Sequence, residues 1–296
     1  MTPILALRFQ IGARTLATVP RRLVRVALSL DAVLAGAVPA LPALPGDADG
    51  FLVTSLPQGA LETFDRQGLL GVVRQRYTRY HTDLGIGADA WLAGLSGSTR
   101  SGLKRKARKL AAASGGALDV RAYRTPAEIA AFHPLARAVS ATTYQERLLG
   151  SGLPEDVAPL LALAGEDRVR AWLLVIGDVP AAYLCCTADG ESLRYDHVGH
   201  DPAYGDLSPG AVLQLEAMRA LFADRFARFD FTEGEGQHKR QLASSGTACV
   251  DLLLLRPTLA NRGVLMALGA FDGAMARAKR AVAHPALQRL AKRVRR

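Results

Sequence analysis

At 296 residues, 49% apolar and 22% charged, the chain is long enough for one large α/β domain or two smaller ones with real cores, which excludes global disorder. Three cysteines, Cys185 and Cys186 adjacent in an apolar run and Cys249 at the head of another, have neither metal-ligand spacing nor a disulfide framework. They read as buried, reduced thiols of a cytoplasmic protein with no bound metal. The formal charge of +10 is concentrated at Arg100, Lys104, Arg105, Lys106, Arg108 and Lys109 and again from Arg277 to Arg296, which favours anionic partners. Without interleaved aromatics or a zinc-finger or RRM pattern, specific nucleic-acid binding is not expected.

Residues 1–50 form an apolar, basic arm. Arg8, Arg14, Arg21, Arg22 and Arg25 interrupt its apolar run, and Pro39, Pro42 and Pro45 break its second half, so neither an export signal nor a membrane-spanning helix is expected. Thr18–Leu34 fits a helix with Leu23, Val26, Leu30 and Val33 on one face. Residues 51–116 hold strands at Phe51–Leu56 and Val72–Leu84, a brief helix at Ala88–Leu95, and a strongly basic helix at Ser98–Ala113, started by Ser98 or Thr99 and stopped by Gly115–Gly116.

From 117 to 257 the order of elements is informative. Leu118–Arg124 reads as a strand. Thr125 then caps a helix with Pro126 at its first position and Glu128 placed for a capping box; it continues through Phe132, Leu135 and Val139. A second helix is expected over Pro154–Ala164. Val169–Ile176, Ala181–Thr187 and Ser192–Gly199, joined by turn residues, should form an antiparallel meander. A loop, Pro202–Gly210, opens into a helix from Ala211 to about Ala223. Arg228–Thr232, Gln237–Ser244 and Ala248–Leu255 complete the series as strand, helix and strand, giving β-α-α-β-β-β-α-β-α-β.

The pieces at the joints of this order are Thr143-Tyr144-Gln145-Glu146-Arg147, Gly199-His200-Asp201 through Tyr204 to Ser208-Pro209-Gly210, Phe229-Asp230-Phe231, and Lys239 after Gly234. Together they resemble the CelD/BcsL-type branch of the GNAT acyltransferases, associated with cellulose and exopolysaccharide biosynthesis and related to the FemAB transferases. The resemblance implies an α/β (α+β) fold with a mixed, largely antiparallel central sheet flanked by helices, preceded by a degenerate GNAT-like amino-terminal half. It implies acetyl-CoA or another acyl-CoA as co-substrate and N- or O-acyl transfer to a polar acceptor such as a sugar or polysaccharide precursor. FemAB-like aminoacyl transfer from charged tRNA is the rival enzyme reading, and a catalytically silent scaffold of an envelope-polysaccharide complex the third.

Such chemistry needs an anion cradle, which a helix amino terminus supplies through its unpaired N–H groups and dipole. Ser208, Pro209 and Gly210 stand at that junction. The usual signature has Arg or Gln, two residues, Gly, one residue, then Gly or Ala; aligned on Gly210, this chain departs from it with Gly205 and Ser208. Carbonyl polarisation in the fold comes from a backbone N–H near Val198 or Gly199. Asp196 is the first candidate base, with Glu233 and Glu235 behind it. Asp230, between two phenylalanines, reads as structural. Tyr204 is a candidate proton donor to the leaving thiolate or a packing wedge. Lys239 is assigned to a phosphate or an anionic acceptor; His238, where the family commonly has a tyrosine, joins Tyr144, Gln145 and Arg147 as acceptor-binding.

Residues 258–296 form a basic amphipathic tail. Val264, Leu265, Leu268, Phe271 and Met275 recur at helical spacing, and Leu287, Leu290 and Val294 repeat the pattern beside Arg289, Lys292, Arg293, Arg295 and Arg296. The second segment has the composition of a helix lying on an anionic membrane, at the periphery of the inner membrane; the alternative is a first segment packed on the domain and a frayed, solvated basic terminus.

Overall fold

The computed structural model describes residues 2–11, 14–143, 146 and 152–283. Its strands are β1 (Ile4–Ile11), β2 (Arg14–Ala27), β3 (Gly50–Pro57), β4 (Leu70–Asp83), β5 (Asp119–Tyr123), β6 (Val169–Ile176), β7 (Val179–Asp189), β8 (Ser192–His200), β9 (Arg228–Asp230) and β10 (Ser245–Leu255). The helices used below are α1 (Leu30–Leu34), α2 (Ala88–Gly94), α3 (Gly97–Ala113), α4 (Pro126–Thr142), α5 (Ala158–Gly165), α6 (Pro209–Leu221), α7 (Gln237–Leu242) and α8 (Leu259–Ala283). The chain divides into two compact units, one of Met1–Leu28, Gly36–Arg76 and Cys249–Arg296, the other of Ser29–Ala35 and Tyr77–Ala248. The division differs from the expected series of arm, amino-terminal region, catalytic domain and tail, because both ends of the chain contribute to one unit.

In the first unit β1 and β2 form an antiparallel hairpin, β2 runs parallel to β3, and β3 pairs antiparallel with β10. The expected helix over Thr18–Leu34 is therefore wrong; only Leu30–Leu34 is helical. Thr15, Thr18, Val19, Val24 and Val26 are β-branched, and strand pairing on both sides outweighs a helical spacing of leucines. Pro20 is tolerated because β3 joins β2 only from Leu23 onward, so no ladder donor is missed on that side. On α8, Leu268 is buried with Leu7, Leu23, Leu253 and Leu255, and Phe271 meets Phe9 edge-on with ring centres 5.4 Å apart. The first half of the tail thus packs on its own unit. Leu287, Leu290, Val294 and the basic residues beside them lie outside the described residues, among which no helix is long and apolar enough to cross a membrane.

In the second unit the strand order is β4-β9-β8-β7-β6-β5. Every residue of β6 is buried, because helices cover both faces of the sheet. Alternate side chains serve different cores: Val169, Ala171, Leu173 and Val175 pack with α4 and α5, while Trp172, Leu174 and Ile176 pack with α3 and α6. Cys185 and Cys186 divide in the same way; both are free and fully buried, and burial pushes the Cys185 thiol up to about 12. The capping box at Thr125 and Glu128 is formed, and α4 continues through Pro134. The basic helix α3 is capped earlier than expected, by Ser96, whose hydroxyl accepts the Thr99 N–H at 3.1 Å.

One buried ion pair fixes the site end of this unit. Arg79 on β4 grips Asp230 at the end of β9 with two bonds of 2.6 and 3.2 Å, and both side chains are 1% exposed. Asp230→Ala leaves the guanidinium buried without its counter-charge and is expected to destabilise the protein by about 3–5 kcal/mol in urea unfolding.

Candidate active site

The parallel pairing of β8 with β9 covers three residues, Ser192↔Arg228 to Arg194↔Asp230, and then stops. Asp230 itself ends the strand: its Oδ1 accepts the Thr232 N–H at 2.8 Å, and Thr232 turns the chain away at φ +60°. Tyr195–His200 of β8 consequently keep β7 on one side and lose their strand partner on the other. The β7–β8 register also shifts, from Cys185↔His197 to Cys186↔Tyr195, which makes Asp196 the extra residue of a bulge. In a regular strand Tyr195 and Val198 would face opposite ways; the bulge brings both to one cavity.

That cavity measures about 580 Å³ and lies wholly among residues of the second unit. Tyr195, Val198, Gly199 and His200 form one wall, and Gly205, Ser208, Gly210, Ala211 and Gln214 the other; Thr143 and His238 close its sides. Ser208 is left-handed (φ 53°, ψ 50°) and makes no side-chain cap bond. Its carbonyl accepts the N–H groups of Ala211 (3.1 Å) and Val212 (3.3 Å), and Pro209 has no N–H. The Gly210 N–H is therefore the first-turn donor without an intrahelical acceptor, and it sits at the positive end of α6. A Cβ on Gly210 would meet the His200 ring at 3.6 Å, so the bare glycine keeps the helix start open. An N–H and a serine hydroxyl without a partner among the described residues, at a positive dipole end, fit a phosphate-bearing ligand.

The sequence-derived candidates divide. Val198, Gly199, Ser208, Gly210 and His238 line the cavity, with Pro209 buried between two of them. Asp196 does not: its carboxylate accepts the Thr187 N–H (3.0 Å), the Thr187 hydroxyl and Arg194 Nε (3.1 Å), and so holds the bulge. Lys239 is buried and donates to the Glu233 carbonyl at 2.7 Å, closing the loop before α7. Glu235 accepts the Thr78 N–H at 2.9 Å. Neither Glu233 nor Glu235 lines the cavity, and Tyr204 packs against the core as a wedge. Tyr144, Gln145 and Arg147 lie outside the described residues. Their neighbour Glu146 is held by Arg137 through bonds of 2.6 and 2.7 Å and by the Ser140 hydroxyl.

His238 is exposed at the mouth, with its ring centre 5.9 Å from that of Tyr195. The helix that carries it is anchored at Leu242, whose carbonyl accepts Trp91 Nε1 (2.7 Å) and Thr82 Oγ1 (3.1 Å). Partial burial, then the Lys239 charge, lowers the His238 pKa below its ordinary value, so the imidazole is neutral at pH 7. Burial raises the Tyr195 phenol, which stays protonated in that range and keeps an O–H to donate. The sequence reading missed Thr143, Tyr195, His200, Gly205, Ala211 and Gln214. Gln214 had a signal: an amide amid the apolar inner face of α6, one turn after Gly210. Tyr195 and His200 had none, since the bulge is not written in the letters.

Residues 97–240 match the family model described as acetyltransferase (GNAT) domain. The chain carries a GNAT acetyltransferase domain. By that match it is an acyltransferase, and the enzymes of the family use acyl-CoA. A comparison with curated proteins finds no match. Among solved structures, the carboxy-terminal domain of a protein described as a putative lysylphosphatidylglycerol synthetase from Agrobacterium fabrum is similar over 76% of this chain and 72% of its own, at TM-score 0.52 and 10% identity. L-PGS from Bacillus licheniformis (77% and 73%, TM-score 0.48, 10% identity) and FemX (70% and 72%, TM-score 0.47, 11% identity) are also similar. These likenesses concern the fold alone.

Two glycines of the cavity should behave differently. At Gly199 a Cβ would lie 2.6 Å from the Tyr183 ring and 2.9 Å from Thr143, so Gly199→Ala is expected to cost about 1–3 kcal/mol by overpacking. At Gly210 the nearest atom is 3.6 Å away, and Gly210→Ala should stabilise α6 by roughly 0.5–1 kcal/mol. Thermal unfolding of the two variants checks the contrast.

Proposed function

We propose that the domain transfers an acyl group from an acyl-CoA donor to an amine or hydroxyl of a polar acceptor, with a sugar or polysaccharide precursor as the acceptor class. The observation that carries the donor is the start of α6, where Ser208 and Gly210 present unclaimed donors to the cavity at the helix's positive end. When bound, the donor supplies an activated thioester and, after transfer, a thiolate that takes up a proton. Val198 and Gly199, on the half of β8 left without a parallel neighbour, offer backbone groups along the same wall.

His238, at the side of the cavity, is the group suited to accept the proton of the incoming amine or hydroxyl. It is neutral at pH 7, open to solvent on one side and held by α7. Tyr195, whose phenol stays protonated, is suited to donate a hydrogen bond on the same cavity. Asp196 is reassigned from base to positioning residue, since its three bonds hold the bulge that places Tyr195 and Val198. Positioning of this kind can supply about 7–11 kcal/mol of the barrier, more than a single acid or base.

The basic face of α3 favours a second donor, charged tRNA, because six cations stand on that helix without one acidic residue. Isothermal titration separates the two: saturable coenzyme A binding that uncharged tRNA does not displace is the expected result. Gly210→Val should weaken it by about tenfold or more by crowding the helix start, with the fold retained. For the base, the acid limb of the kcat/KM–pH profile should have its midpoint below the ordinary histidine value of about 6.5. His238→Gln should remove that limb and lower turnover roughly 10²-fold. An unaltered limb would move the role off His238.

A further inference from the structure

α6 buries a polar group for which the described residues offer no partner. Gln214 is 4% exposed, its Nε2 is shielded from solvent, and among the described residues no acceptor reaches it. A buried amide donor left unpaired is destabilising, so an apolar residue would serve the core of α6 better than a glutamine. The neighbouring inner-face positions Val212, Leu213, Leu215 and Met218 are apolar and fully buried. Gln214 also lines the cavity, and it lies four residues after Gly210, on the same helix face and about 6 Å deeper along the axis. Gln214 therefore belongs to the ligand wall, beyond the point where the helix start receives an anion, and a half-turn of its carboxamide about the terminal bond brings the shielded donor to the cavity side.

Resting on the acyl-CoA reading above, we infer that the Gln214 carboxamide donates to the first oxygen-bearing groups of the donor's arm beyond its phosphates, the hydroxyl and amide carbonyl of the pantoyl part. Gln214 is thus a binding residue that reads the arm of the donor rather than its nucleotide end. The cost of an unpaired amide in the free protein is recovered only when that oxygen arrives. Gly210 and Ser208 serve the anion whether or not an arm is attached, whereas Gln214 acts only when one is present.

The test replaces the amide with apolar residues of similar volume, Gln214→Leu and Gln214→Met, and titrates each protein with coenzyme A and with 3′-phosphoadenosine diphosphate, the nucleotide end with its pyrophosphate and without its arm. The expected result is a loss of roughly tenfold in coenzyme A affinity with 3′-phosphoadenosine diphosphate affinity within about twofold of the parent. The melting temperature of the ligand-free variants should equal or exceed that of the parent, because an unpaired buried donor has been removed. Coenzyme A affinity unchanged in both variants overturns the inference alone. Equal losses for both ligands together with a lowered melting temperature also overturn it, by showing a structural role. Absence of coenzyme A binding by the parent protein removes the acyl-CoA reading, and the inference with it.

Discussion

The early end of β9 is the constraint on which the site depends. Asp230 is the last residue paired with β8, and its carboxylate is shared between Arg79 and the N–H of Thr232. Those bonds hold a β-branched residue at φ +60°, a conformation that costs free energy and persists only where its surroundings enforce it. The chain then leaves the sheet, and β8 runs on from Tyr195 with one edge unpaired. An unpaired edge beside a helix start makes a slot with backbone donors and acceptors on one wall and a dipole on the other. Without the turn at Thr232, β9 would continue along β8 and fill it.

The polar groups around the slot divide by whether they have partners. Asp196, Asp230, Lys239, Glu146 and Arg137 are all bonded within the protein and act as framework. Gln214 Nε2, the Ser208 hydroxyl and the Gly210 N–H have no partner among the described residues. A buried charge is tolerable when paired and costly when not, so the framework residues are poor proton carriers and the unpaired groups good ligand contacts. A second framework cluster stands at Asp167, where hydrogen bonds from Arg124, Arg170 and Arg225 hold the carboxyl far below its ordinary pKa against the opposing effect of burial. Asp224 grips Arg170 from the other side at 2.6 Å.

Much of the second unit was legible in the letters, because its signals are local. The capping box at Thr125, the turns between the meander strands and the apolar runs of β6 and β7 each have short-range causes, and their order pointed to the GNAT fold. The helix start at Ser208-Pro209-Gly210 was legible for the same reason. The arm was not: β2 is a strand because β1 and β3 pair with it, and no window of its own sequence reports those neighbours. The choice of Asp196 as base failed to reach the cavity for a related reason. Regular alternation would set Asp196 on the face of Val198 and His200, whereas one extra residue turns the face and hands the wall to Tyr195, Val198 and His200. Pairing partners such as Thr187 for Asp196 or Thr78 for Glu235 are likewise set by the tertiary fold.

The central claim is that the start of α6 holds a phosphate-bearing donor. Amide resonances of an isotopically labelled protein, followed during addition of coenzyme A, test this most directly, since each N–H reports its own environment. The Gly210 and Ala211 amides should move first and furthest, and inorganic pyrophosphate should reproduce part of the shift at those two positions. Saturable coenzyme A binding that leaves both amides unmoved while perturbing residues elsewhere would contradict the claim.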